Sequence, residues 1–338
     1  MVRGIRILEN DCTILQKARE HLCVVLAMVY DGIMVAIAHE NDLDRVRRGR
    51  KELIHLIGSM VKEDAVNEVM PGLFVSKSTK LSASPTVILQ PAFCFVAQGA
   101  KRAMLGDEVF HYDSGHYLIF TVDLPLTFHV EEASEKEPYL GMRLNLRPDV
   151  VASVMAEAEI QFRKGDAGAK AMSVNPVDAD LMDAVVRLLR LSETPADQKL
   201  MYPLLPKEIV YRLLSGGQGA RLGHMIGNAG TNRISRAIGY LRSHLDTALN
   251  IEAVARELGM SVSGFHHQFR SVTAMSPLQY HKQIRLQEAR RLMIVESLDA
   301  ASAGFQVGYE DPAYFSRDYK KQFGSPPQRD ISRLRAEI

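Results

Sequence analysis

Two sets of side chains in the last third of the chain could do the same chemistry. Ser263, His266, His267 and Arg270 recur at i, i+3, i+4 and i+7, so on a helix they share one face. Ala313, Ser316, Arg317 and Lys320 repeat that spacing 50 residues later. Both faces are rich in hydrogen-bond donors, and both are backed by apolar side chains. Val262, Phe265 and Phe269 stand behind the first, and Phe315, Tyr319 and Phe323 behind the second. A helix with rings turned inward and donors turned outward is suited to the DNA major groove, whose width admits one α-helix.

The elements that must position these faces are legible nearby. NIEAVARELG (Asn250–Gly259) predicts a short helix with Ile251, Val254, Ala255 and Leu258 on one side. Gly259 supplies a left-handed turn and Ser261 the cap of the next helix. Leu298–Gln306, Gly308, Asp311 and Pro312 repeat this layout, so the segment reads as two helix-turn-helix units. Between them Ser276–Ser297, capped by Ser276 and opened by Pro277, predicts a rod of about 30 Å. B-DNA repeats every ~34 Å, so the rod would set the two outer faces in successive major grooves. From Thr231 onward the chain carries 15 Lys and Arg against 11 Asp and Glu, a basic bias that the whole-chain net charge of +1 conceals.

Upstream, the apolar period changes. Pro71–Leu146 holds short runs rich in Val, Ile, Phe and Tyr: Thr86–Gln90, Phe93–Gln98, Lys101–Leu105, Glu108–Tyr112, Tyr117–Val122, Thr127–Glu131 and Leu140–Leu146. Gly106-Asp107 and Asp113-Ser114-Gly115 are hairpin signals. Strands at this spacing predict a small β-barrel or sandwich with one buried face. Phe93, Phe95 and Phe120 on that face are candidate contacts for an apolar or amphipathic effector. Helices are expected over Glu40–Glu68, Val150–Phe162, Asp178–Leu191 and Pro206–Leu214. The apolar stripes of the last two read as packing within the domain or as a homodimer seam. Ser215–Asn232, with six glycines, reads as a linker. The expected organisation is an N-terminal extension (1–42), an effector and dimerisation domain (43–214), a linker (215–232) and a C-terminal helical domain (233–331).

The extension contains an apolar stretch, Leu22–Ala38, interrupted by Asp31 and shorter than the ~20 residues that span a bilayer. It reads as a buried element, as a membrane anchor, or as upstream sequence from an early start codon, with Met34 or Met60 as the true start. The last reading is favoured. A composition of 46% hydrophobic and 24% charged residues is that of a globular protein of two or three domains. Cys12, Cys23 and Cys94 form no CxxC pair, which argues against zinc or a disulfide framework and for a reducing, cytoplasmic setting. His266 and His267 are adjacent on a helix and point ~100° apart, so they cannot chelate together. His111, His116 and His129 lack the HxH pattern of cupin metal centres and read as surface or satisfied core residues. Lys101-Arg102 reads as a solvated strand end, and Gly216–Gly230 has no Walker pattern. No metal, cofactor or catalytic residue is therefore expected; a cupin-type enzyme with a helical appendage is the alternative.

AVARELGMSVSGFHHQFR, SPLQYHKQIRLQEARRLM and AGFQVGYEDPAYFSRDYKKQFGSPP, within Arg233–Ile331, resemble the AraC/XylS family of bacterial transcription regulators. PAFCFVAQGAKRAMLGDEVFHYDSGHYLIFTVDLPLTFHV and PLLPKEIVYRLLSGGQGARL resemble the N-terminal domain of one subgroup. The resemblance implies an α+β chain: an N-terminal cupin-like β-barrel with flanking helices, then an all-α domain of two helix-turn-helix units joined by a linker helix. It implies that Ser263, His266, His267, Arg270, Ala313, Ser316, Arg317 and Lys320 contact bases and phosphates of double-stranded DNA. It further implies a small-molecule effector in the barrel, a homodimer, and RNA polymerase as a partner if the output is activation. Three departures stand out. His267 takes a place where arginine is common in relatives, Ala300 one where a branched aliphatic is usual, and Gly264 lowers helix propensity by about 1 kcal/mol.

Overall fold

The computed structural model describes residues 40–84, 86–160, 170–226 and 232–336. Helix α1 (residues 40–60) buries Leu53, Leu56 and Ile57 at helical spacing. It stops short of the expected Glu68, because Ala65–Met70 is a strand instead. That strand, β1, pairs with β2 (Leu73–Ser78) across Gly72, whose φ of 78° suits a tight turn. There follow β3 (Ser82–Ala83), β4 (Val87–Leu89), β5 (Ala92–Gln98), β6 (Ala100–Leu105), β7 (Glu108–Asp113), β8 (His116–Phe120), β9 (Leu124–Glu132) and β10 (Tyr139–Asn145). Helix α2 (Pro148–Glu157), β11 (Met172–Pro176), α3 (Ala179–Arg190), α4 (Pro195–Met201), α5 (Leu205–Leu213) and α6 (Gly219–Leu222) complete the N-terminal half.

Among the described residues the strands form two antiparallel sheets, and they do not close into a barrel. One runs β1-β2-β10-β5-β8-β11; the other runs β3-β9-β6-β7, with β4 also on β9. Gly106-Asp107 closes the β6–β7 hairpin as expected. Asp113-Ser114-Gly115 does not close one. Its turn, held by Gly115 N donating to Asp113 Oδ1 at 2.9 Å, passes the chain to the other sheet, where β8 pairs with β5 and β11.

The larger sheet is covered on its outer face by α1, α3 and α5, in a core that holds Phe93, Phe95, Tyr117 and Ile119. Strand β5 is therefore buried on both faces, not one, which explains why AFCFVAQ shows no polar alternation. The stripes of α3 and α5 are used within this layer: Leu181, Val185, Leu188, Ile209 and Leu213 are buried there. The first part of the glycine-rich stretch is helical, and residues 227–231 lie outside the described residues. Its helical turns run to Met225, because Leu214 and Leu222 bury themselves in the same core.

Seven helices make the C-terminal half among the described residues: α7 (Asn232–Ser243), α8 (Ile251–Glu257), α9 (Val262–Thr273), α10 (Pro277–Val295), α11 (Ala300–Gln306), α12 (Pro312–Phe323) and α13 (Pro327–Ala336). The first unit shares a core with the sheets: Leu118, Phe120 and Leu124 join Ile238, Phe265, Phe269 and Tyr280. Ala171 N donates to Val272 O at 3.1 Å and Tyr280 Oη to Asp123 O at 2.8 Å, while Arg242 pairs with the Asp123 carboxylate. The second unit has its own core of Leu286, Leu292, Val307, Phe315 and Tyr319. Cys12, Cys23 and Leu22–Ala38 lie outside the described residues. No described helix is long and apolar enough to cross a membrane.

Candidate nucleic-acid interface and effector cavity

Local capping fixes where each outer-face helix begins, and so which way its faces turn. Asn250 Oδ1 accepts from Ala253 N at 2.9 Å to start α8, which ends before Gly259 at φ 64°. Ser261 Oγ accepts from Gly264 N at 3.1 Å to start α9. Ser276 and Gln279 form a reciprocal capping box at the head of α10. In the second unit Asp299 caps α11 through Ala301 N and Ser302 N, a cap the sequence reading did not assign. Gly308 turns at φ 82°, Asp311 Oδ1 accepts from Ala313 N at 2.7 Å, and Pro312 opens α12.

The result is one exposure pattern written twice. Phe265, Phe269, Phe315 and Tyr319 are fully buried. Ser263, His267 and Arg270 are exposed, as are Ala313, Arg317 and Lys320, while His266 and Ser316 are half-buried at matching positions. Over Ser263–Arg270 and Ala313–Lys320 the two patterns differ only at Gly264 and Tyr314. Val262 does not join the core: it is the first residue of α9 and lies 38% exposed. Phe323 is half-buried. The departure at Gly264 has a local cause, since a Cβ there would come within 2.9 Å of the capping Ser261 Oγ.

Charge separates by role. Among the described residues no carboxylate pairs with Arg270, Arg317 or Lys320. The Arg317 guanidinium lies 4.2 Å over the ring of Tyr314, itself exposed and absent from the sequence-derived set. Cations behind this face are tied down. Asp330, fully buried, accepts from Arg290 Nε at 2.8 Å and Nη2 at 3.0 Å, from Tyr319 Oη at 2.9 Å and from Arg333 Nη2 at 3.0 Å. Lys282 pairs with Asp318 at 2.6 Å, joining α10 to α12.

Between the sheets lies a cavity of about 620 Å³ walled by Phe74, Leu89, Tyr112, Phe128, Val130 and Tyr139. Phe93, Phe95 and Phe120 do not line it. Phe93 and Phe95 point from β5 into the helical layer, and Phe120 packs in the core shared with the first helix-turn-helix unit. Cys94, between the two β5 rings, faces the cavity, and burial pushes its thiol up to about 11. Lys101 is not a solvated strand end: it lines the cavity, 4.6 Å from the Phe128 ring and 5.1 Å from Tyr139. Its neighbour Arg102 turns to the opposite side, toward Glu131 at 3.4 Å. The signal was available, because Lys101 shares strand parity with Ala103 and Leu105. His111 meets Glu131 at 2.8 Å and His116 meets Asp113 at 2.7 Å. Among the described residues no group of three or more His, Cys, Asp or Glu is placed to hold a metal ion. The second half of the chain reaches the strand that walls the cavity, not the cavity itself. Gln287 on α10 donates to Thr86 O, and Thr86 leads into β4, whose Val87 and Leu89 form cavity wall.

Residues 69–221 match the family described as the AraC-type transcriptional regulator N-terminus, and residues 254–332 match a helix-turn-helix domain family. The chain belongs to the AraC/XylS family. Among its family relatives is the arabinose operon regulatory protein of Escherichia coli, 34% identical over 97 residues, which are 28% of this chain and 33% of that one. The MmsAB operon regulatory protein of Pseudomonas aeruginosa is 30% identical over 96 residues, 28% of this chain and 31% of its own. The chain thus spans about a third of the length of the curated relatives it matches. As a fold, this family member is similar to unsaturated fatty acid-bound ToxT of Vibrio cholerae, with a TM-score of 0.51, 12% identity, and coverage of 77% of this chain and 93% of that one. A second ToxT structure, from strain O395, gives 0.51 at 11% identity over 78% and 98%.

Proposed function

We propose that this chain is a sequence-specific, DNA-binding transcription regulator controlled by a small molecule held between its N-terminal sheets. The observation that carries the reading is the doubled exposure pattern on α9 and α12, with buried rings behind and donors in front. In this reading Ser263, His266, His267 and Arg270 read one half-element, and Ala313, Ser316, Arg317 and Lys320 the other. Arg270, Arg317 and Lys320 add the salt-dependent attraction to phosphate. The 19-residue α10, about 28 Å long, spaces the two readers close to one turn of B-DNA. Residues 43–214 form the effector and dimerisation unit, 215–232 the connection and 233–331 the reading unit. Double-stranded DNA, a small-molecule effector and a second copy of the chain are the partners, with RNA polymerase added where the output is activation. The site of action is the cytoplasm.

Control follows from the bond between α10 and the residue that leads into the wall strand β4. An effector that moves β4 acts on Thr86 and so on Gln287 of α10, biasing how the readers are presented. That the similar ToxT structure is of a protein bound to an unsaturated fatty acid supports a small-molecule effector for this chain too. To test the reading, the full chain is used to select duplexes from a random pool, and affinity is measured by fluorescence anisotropy. Enrichment of a two-part site is expected, and Arg317→Ala should weaken binding by about 1–3 kcal/mol if it meets a base. No enriched sequence, or an unchanged affinity for that variant, would count against the reading.

A further inference from the structure

We propose that the inter-sheet cavity takes an organic carboxylate with an apolar body, its charge held between Lys101 and Arg143. This deepens the effector reading above, and binding itself is measured without DNA.

The strand registers put both cations inside. Arg143 stands in β10 opposite Phe74 of β2 and Cys94 of β5. Lys101 stands in β6 opposite Tyr112 of β7 and Val130 of β9. Each therefore sits on a strand paired on both sides, where the backbone holds its direction. The two sheets close over one space, and both cations lie within electrostatic range of the Cys94 thiol.

Neither cation has a carboxylate partner among the described residues. The Arg143 guanidinium carbon lies 4.1 Å over the Phe74 ring, and its Nε is buried without a hydrogen-bond partner. The carboxylate in the cavity lining, Asp64, is already taken: it accepts from Thr79 N at 2.9 Å and from Thr79 Oγ1 at 2.8 Å. Glu68, the acid that acts on Arg143 through space, accepts from Gly72 N at 2.7 Å. Burial pulls the Arg143 guanidinium below its usual range, the mark of a charge that has lost water without gaining a counter-ion.

Both side chains are half-buried, and a cation drawn partly out of water is normally paired; an atom such as Arg143 Nε, buried with its bond unmade, costs more than a made bond returns. A carboxylate supplies what is missing, since its two oxygens match the guanidinium fork and accept from an ammonium as well. Lys77 and Lys80 also line the cavity and keep its field positive. The aromatic walls at Phe74, Phe128 and Tyr139 take the apolar remainder, and a volume of about 620 Å³ is in the range of small-molecule sites. A neutral ligand of the same shape leaves both cations unpaired, and a cationic one adds repulsion.

The test is isothermal titration of the full chain with decanoate and 2-naphthoate, each against its alcohol (1-decanol, 2-naphthol), and with decylamine. We expect a carboxylate to bind about tenfold or more tighter than its alcohol, and the amine weaker still. Lys101→Met and Arg143→Met should each lose about tenfold or more for the carboxylate while holding alcohol affinity within about twofold, which controls for folding. Arg143→Lys, which keeps charge without the fork, should fall between. Equal affinity for acid and alcohol, retained carboxylate affinity in both Met variants, or no binding by either acid overturns the proposal. If that happens while the chain still binds its selected duplex, the regulator reading stands and only the carboxylate assignment falls. Carboxylate binding without any DNA binding is the reverse.

Discussion

Asp330→Asn is the sharpest probe of how the second reader is held. The change keeps the side chain's shape and removes its charge. Asp330 is fully buried and Arg290 is 6% exposed, so their two hydrogen bonds run in a water-poor core. Removing one partner of such a pair costs about 3–5 kcal/mol, because the other charge is left buried and unpaired. The asparagine amide would also set a donor against donors on Arg290. The bond from Tyr319 Oη adds about 1 kcal/mol to the loss, and the one from the exposed Arg333 adds little. A loss of this size is a large share of the ~5–15 kcal/mol that holds a typical domain. It falls on the junction of α10, α12 and α13, in a core separate from the one that joins α9 to the sheets. Urea unfolding of the full chain by circular dichroism should therefore show an early transition for the second unit. Duplexes carrying only the half-element read by α12 should lose binding, while those carrying only the first keep it. One transition at the wild-type midpoint, or equal loss at both half-elements, would refute the reasoning.

Other expectations follow from single positions. Gly259→Ala should cost about 1–2 kcal/mol, the price of a left-handed alanine, since nothing lies within 4 Å of a Cβ there. Gly308→Ala should cost more, about 2–5 kcal/mol, because its Cβ would also meet Asp246 O at 2.5 Å; equal urea midpoints would contradict this. Burial lowers the His281 imidazole below its ordinary value of about 6.5, outweighing the bond to His244 O that raises it. The unfolded chain then binds the proton more readily, so stability is full above about pH 6.5 and falls as pH drops toward the depressed folded value. His281→Gln should flatten that part of the urea-midpoint profile, and parallel profiles for variant and wild type would contradict the assignment.

What the sequence made legible was local. Ser261, Ser276 and Asp311 cap helices through bonds that close within two or three residues, so residue type and position suffice to place them. Gly259 and Gly308 are read the same way, as is the inward turn of Phe265, Phe269, Phe315 and Tyr319. Each of the seven anticipated strands coincides with an observed one, because β-rich runs between turn residues need no partner to be recognised. Pairing was not legible. Burial on both faces of β5 depends on α1 and α3, far away in the chain, so Phe93 and Phe95 looked like cavity residues when they serve the helical layer. The cavity is assembled from strands of both sheets, β1 to β7 with β9 and β10, and only that assembly turns Lys101 and Arg143 toward one space. Parity along β6 pointed to Lys101, yet a lysine beside an arginine reads first as solvent-facing. Asp299 does not stand out as a cap from residue type alone, because the run from Leu298 reads as helical throughout. Residues 65–68 fall inside the expected helix because the rhythm of Leu53, Leu56, Ile57 and Met60 has no marked break before them, and the strand there is set by pairing with β2.

The central claim is that α9 and α12 enter successive major grooves on one face of a duplex. Hydroxyl-radical footprinting of the full chain on its selected site measures this directly. Two protected patches centred about 10 base pairs apart on the same face are the predicted result. A single patch, or two patches on opposite faces, would contradict it.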